Sequence, residues 1–182
     1  TYTGETFSTE NSEIYPRPVQ QPRPPILIAG AGERVTLRQV AQYADACNFG
    51  ASSNTGAIRG AEDVARRFAV LKRHCDAVGR PYDDILRTHF TSWLFVAETE
   101  RDAMAKKARY FPNGLTEEQE YTRIFGTPEQ IVAYCAELVD AGVQYFVMQT
   151  QDASDIESIE LLGREAVSYT HLRAHETVLD LV

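Results

Sequence analysis

The sequence predicts an α/β protein of repeated strand–helix units whose principal strands run parallel. Three observations carry this. Short, mainly apolar runs at 26–28, 46–49 and 143–148 read as strands, the first of them, with no polar alternation, covered on both faces and the last buried. Each is followed by a stretch whose apolar positions recur every three to four residues, as an amphipathic helix requires. Helix ends are punctuated by glycine or proline, as at Gly79, Pro81 and Gly142. Strand–helix repeats with short links imply right-handed crossovers. The units amount to half of a TIM-type (β/α)8 barrel, a fold of about 250 residues, and they are also compatible with a small open doubly wound sheet.

Thr1 to Gln20 alternate around Phe7 and Ile14 and read as a short hairpin or irregular extended segment. Pro16, Pro18, Pro22, Pro24 and Pro25 form a stiff lead-in. Because they run straight into a buried strand, they read as a connector rather than an SH3-type ligand. Ile26 to Ile28 is that strand, and it stops at Gly30-Ala31-Gly32. A helix is expected from near Arg34, with Val35, Leu37, Val40, Ala41 and Ala44 on one face. Ala46 to Phe49 form a second strand, with Gly50 to Gly60 a loop at its C-terminal end. Ala61 to Val78 read as a long helix. Val64, Phe68, Leu71 and Cys75 face inward, and Arg66, Arg67, Lys72 and Arg73 occupy the other face. His74, in its last turn, reads as structural.

Ile85 to Ala97 contain a third strand centred on His89 to Val96, and Glu98 to Arg109 a helix. Tyr110 to Phe125 read as a loop with a short helix, a spacer or a lid. Thr127-Pro128-Glu129-Gln130 is a helix start: Thr at the cap, Pro at the first helical position, Gln three after the cap. Ile131, Val132, Cys135, Leu138 and Val139 give its core face. Val143 to Met148 make a fourth strand, and Ala153 to Ala166 a closing helix with Ile156, Ile159, Leu161 and Leu162 apolar.

Composition narrows the function classes. The chain has 182 residues and a formal net charge of −8, which opposes binding to nucleic acid. No run is long and apolar enough to span a bilayer, so no membrane partner is expected. The first residue is Thr, and no basic-then-apolar start marks a signal peptide. Cys47, Cys75 and Cys135 are widely spaced with no CxxC, which fits buried packing residues in a reducing, cytoplasmic compartment.

The chemistry-bearing stretch is the first strand, its glycine loop and the helix after it. Gly30 and Gly32 permit a sharp turn and close approach to the backbone. Free N–H groups and the positive end of the helix dipole converge there, the ingredients of an anion site; a plain tight turn has the same pattern. A nicotinamide-binding Rossmann domain is a second reading. Against it, Val35 stands where that fingerprint needs a third small residue, and the second strand ends in Asn48 rather than an acid. Asn48 lies at a strand's C-terminal end, where barrel ligands gather. His89 is a barrel-wall histidine or a polar group near a bound ring. Phe90, Trp93 and Phe95 read as core.

Val167 to Thr177 look like the conceptual translation of a transposase sequencing-library adapter. Residues 167–182 are therefore set apart from 1–166 as an artefact tail. His171 and His175 fall within it, and no metal site is expected.

Residues 1–166 resemble the C-terminal half of luciferase-like flavin or deazaflavin oxidoreductases. The matching blocks are Tyr15-Pro16-Arg17-Pro18-Val19-Gln20, Pro24-Pro25-Ile26-Leu27-Ile28-Ala29-Gly30-Ala31-Gly32-Glu33-Arg34, Thr36-Leu37-Arg38 and Tyr43-Ala44-Asp45-Ala46-Cys47-Asn48. Gly126-Thr127-Pro128-Glu129-Gln130 and Asp140-Ala141-Gly142-Val143 match as well. The resemblance implies the last four strands, 5–8, of a TIM-type barrel. It implies a cofactor, coenzyme F420 or alternatively FMN, whose phosphate rests on Gly30, Ala31 and Gly32, flanked by Glu33, Arg34 and Thr36. The implied activity is hydride transfer to or from an organic small molecule, or flavin monooxygenase chemistry, by an enzyme that could be a homo-oligomer when full length. The resemblance names no catalytic residue here; these are expected mainly in the first four strands, so the chain by itself is expected to be inactive.

Overall fold

A computed structural model describes residues 1–13, 15–50, 58, 60–150 and 152–167. Most of the expected Gly50–Gly60 loop and the tail after Val167 lie outside the described residues.

The N-terminus forms a small antiparallel hairpin, β1 (Tyr2–Thr3) with β2 (Ser8–Thr9). The main sheet holds β3 (Leu27–Ala29), β4 (Ala46–Gly50), β5 (Leu86–Val96), β6 (Arg123–Gly126) and β7 (Tyr145–Thr150). Every pairing within it is parallel. The helices are α1 (Thr36–Tyr43), α2 (Gly60–Val78), α3 (Glu100–Tyr110), α4 (Glu117–Thr122), α5 (Pro128–Asp140) and α6 (Ile156–Leu161). A π-helical turn, Leu162–Val167, continues α6.

The four expected strands are neighbours in chain order, β3, β4, β5 and β7. The order never reverses, so these strands form no switch point of the dinucleotide-binding kind, and the barrel alternative is the one realised. The strand not foreseen is β6, which lies inside the segment read as a loop. β5 accommodates it by length. Its first residues pair β4 on one edge, its last pair β6, and the middle pairs β7 on the other edge. A register shift between Thr91 and Trp93 lets this strand follow the curve of the sheet.

Two apolar clusters hold helices to one face of the sheet. Leu37, Val40 and Ala41 of α1 and Val64, Phe68 and Leu71 of α2 pack on Cys47 and Phe49. Ile131 and Cys135 of α5 and Leu161 of α6 pack on Leu94 and Val96. Alternation along the strands turns Leu27, Ala46, Asn48, Trp93, Tyr145 and Val147 to the opposite face. That face is open toward the edges of the sheet, where Leu27 is 51% exposed and Tyr145 57%, while at the end of β5 Phe95 is buried against Tyr110 and Phe111. The first strand is therefore not covered on both faces, because β3 is an edge strand with helices on one side only.

Other expectations shift for local reasons. α1 begins at Thr36 rather than near Arg34, since Glu33 to Val35 form a turn, and Val35 is 64% exposed instead of joining the core. Val139, Ile156 and Ile159 are also exposed. The proline lead-in is anchored where it meets the sheet. Arg23 pairs with Asp45, whose carboxylate also accepts the Ile26 N–H at 2.6 Å. Those bonds hold the Asp45 carboxyl down at about 2.

Candidate functional site

The loop from Gly30 to Val35 leaves the C-terminal end of β3 and feeds α1. The Gly30 N–H donates to the Asn48 carbonyl at 2.8 Å, which continues the β3–β4 ladder for one more bond. Gly30 then adopts φ +121°, a conformation that disfavours any side chain. Thr36 sits under the turn. A Cβ at Gly32 would lie 2.8 Å from Thr36 Oγ1, and one at Gly30 3.2 Å from Thr36 Cγ2. The two glycines thus make room for the first residue of α1. Among the described residues no side chain caps that helix, so its first N–H groups are left for the loop, water or a ligand to meet.

Of the residues singled out in the sequence, Gly30, Ala31, Gly32, Glu33, Arg34, Thr36 and Asn48 are brought together here. Ala31 is buried, Gly32 and Arg34 are exposed, and Thr36 and Asn48 are half-buried. Asn48 contributes its carbonyl to Gly30 and turns its side chain to the open face of the sheet. Glu33 points elsewhere: its carboxylate pairs with Arg66 and lies 3.4 Å from Arg67, both on α2. The two arginines offset its negative charge on that side of the loop. The small residues, the uncapped helix and the exposed Arg34 fit a phosphate-bearing group.

His89 is not part of this arrangement. It is 2% exposed, on the helix-covered side of β5 with Phe49 as its register partner, and its Nδ1 lies 3.0 Å from Thr91 Oγ1. Burial pushes its pKa down to about 4, so it is a neutral wall residue.

Sequence reasoning missed two features. Arg67 was placed on the solvent face of α2, yet its side chain is 16% exposed and donates to the Ala31 carbonyl. The signal was the seven-residue spacing to His74, which puts both on one stripe of the helix. The second is a polar cleft of about 250 Å³ at the C-terminal ends of β5 and β7, lined by Lys106, Arg109, Tyr110, Asp152 and Asp155, among others. Lys106 Nζ donates to the Val96 carbonyl at 2.9 Å, to Asp155 at 2.7 Å and to Ser158 Oγ. Tyr110 donates to Asp152 at 2.8 Å, and Ser154 and this tyrosine together hold the Asp152 carboxyl at about 2. These groups join α3 to the segment after β7. Above them Phe95 stacks on Phe125 and meets Tyr110 and Phe111.

The architecture is that of a partial TIM-type barrel, with the loop and the cleft both at the C-terminal ends of parallel strands. No protein-family model and no curated protein matches the chain. Solved structures do match its fold. The coenzyme F420-dependent tetrahydromethanopterin reductase of Methanopyrus kandleri superposes with a TM-score of 0.70 at 17% identity, over 93% of this chain and 57% of that one. An F420-dependent secondary alcohol dehydrogenase gives 0.69 at 12%, over 91% and 54%. The EDTA monooxygenase of Chelativorans sp. BNC1 gives 0.71 at 16%, over 94% and 50%. The chain thus spans about half the length of the structures it matches.

Proposed function

We propose that this chain carries the phosphate-binding loop of a luciferase-like, coenzyme F420-dependent oxidoreductase. The observation that supports this most is the two-glycine turn over Thr36 at the strand ends, in a fold shared with two F420-dependent enzymes. The bound deazaflavin would supply hydride transfer to or from an organic small molecule. The chain's part is placement. The Gly32 to Arg34 amides and the start of α1 receive the phosphate, with Arg34 and Thr36 as side-chain partners. FMN is the second reading, supported by the fold shared with a riboflavin lyase solved with a modified FMN and with a Baeyer-Villiger monooxygenase solved in complex with FMN. Ring and substrate contacts are assigned to complementary barrel strands that would cover the open face, and the 182-residue chain alone is expected to bind without turnover.

Titration of the chain and of its Gly32→Val variant with F420 and with FMN tests this. A valine at position 32 drives its Cβ toward Thr36 Oγ1 and blocks close approach to the amides, so the variant should bind more weakly by about tenfold or more. The cofactor bound more tightly by the parent decides between the two. Equal binding by parent and variant removes the loop as the phosphate site. Failure of the parent to bind either cofactor removes the flavin reading.

A further inference from the structure

We propose that Arg67 and His74 of α2 are positioning residues that aim the loop's amides at an anion by holding the loop's carbonyls from behind. This rests on the reading of the loop as a phosphate site. In a trans peptide the C=O of one residue and the N–H of the next point in opposite directions. Three successive carbonyls of the loop are occupied on its inner side. Arg67 Nη1 donates to the Ala31 oxygen. The Leu37 N–H donates to the Gly32 oxygen at 3.0 Å. His74 Nε2 lies 2.8 Å from the Glu33 oxygen, and since a carbonyl only accepts, Nε2 carries the proton.

The N–H groups of Gly32, Glu33 and Arg34 are therefore turned away from the groups that hold those carbonyls. Successive outward N–H groups are what an anion-binding concavity consists of. Released from its tether, either outer peptide could rotate and present a carbonyl oxygen to the phosphate instead. The Arg67 fork also keeps the Glu33 carboxylate on the α2 side, at 3.4 Å. Its side chain is largely buried, and among the described residues its Nε has no hydrogen-bond partner. Arg67 thus acts through the backbone rather than as a ligand to the phosphate.

The test uses the whole chain with four variants, Arg67→Met, Arg67→Lys, His74→Leu and Arg73→Ala. The first readout is the 15N order parameter of the loop amides without cofactor. Arg67→Met should lower it at Gly32, and His74→Leu at Arg34, from about 0.85 toward 0.6. Arg67→Lys, which keeps a donor for Ala31, should restore Gly32. Arg73→Ala, an exposed residue of the same helix, should change neither. The second readout is affinity for F420 and FMN, which should fall about tenfold in Arg67→Met and recover in Arg67→Lys. Unchanged order parameters in Arg67→Met and His74→Leu overturn the tether, whether or not cofactor binds. Unchanged affinity in Arg67→Met alongside lost affinity in Gly32→Val also overturns it, while the loop reading stands.

Discussion

At Gly50 an added methyl carbon would sit 2.1 Å from the Phe90 carbonyl oxygen, so β4 and β5 approach there as only glycine allows. Gly50→Ala should cost at least about 2 kcal/mol in urea unfolding, because backbone on both sides must move. His89 sets a pH dependence. Its folded pKa of about 4 lies below the ordinary 6.5, so the unfolded chain binds the extra proton between those values. Its contribution is full above pH 6.5 and is lost as pH falls toward 4, by on the order of 3 kcal/mol. Unfolding midpoints measured from pH 7.5 to 4.5 should show this slope in the parent and a flatter one in His89→Gln. Individual residues were legible in the sequence where local geometry required them, as at Gly30 and Gly32. Arg67 was not, because its role depends on a loop more than thirty positions away in the chain.

Elements read well where their own residues specify them. α2 and α5 carry long apolar stripes, and α5 also carries its start signal: the Thr127 N–H donates to Gln130 Oε1 at 3.0 Å. Gln130 further donates to Glu100 at 2.7 Å and lies against Gly126. It therefore joins the start of α5 to α3 and to the end of β6. Gln130→Ala should lower stability by about 1 kcal/mol, read from the thermal midpoint. β6 was not legible because Arg123-Ile124-Phe125-Gly126 has no period of its own and extends only by pairing with β5. The start of α1 was misplaced because the Leu37 N–H reaches back to Gly32, five residues away, in a wider turn than a helix makes. The closing helix is α-helical over only six residues before it widens into a π turn.

The molecule as a whole has two helix-covered clusters against one face of its sheet and an opposite face that is partly apolar and uncovered toward the sheet edges. A face with Leu27 and Tyr145 about half exposed should bind a hydrophobic dye. Leu27→Lys with Tyr145→Lys should reduce that fluorescence while leaving the far-UV circular dichroism unchanged. The overall order of strands was legible because βα repeats leave few topologies. The openness of the face was not, since strand residues of a covered and an uncovered face are equally aliphatic in sequence. β5 joins everything else: it alone touches β4, β6 and β7, and its partners come from both earlier and later in the chain. Apart from the edge strand β3, which pairs β4, no strand can leave the main sheet without breaking a ladder on β5. In amide hydrogen exchange the N–H groups of Thr88 to Leu94 should open only with the entire molecule, while β1 and β2 exchange by fraying. Folding, for the same reason, should wait on the distant β5–β7 pairing rather than on any single βα unit.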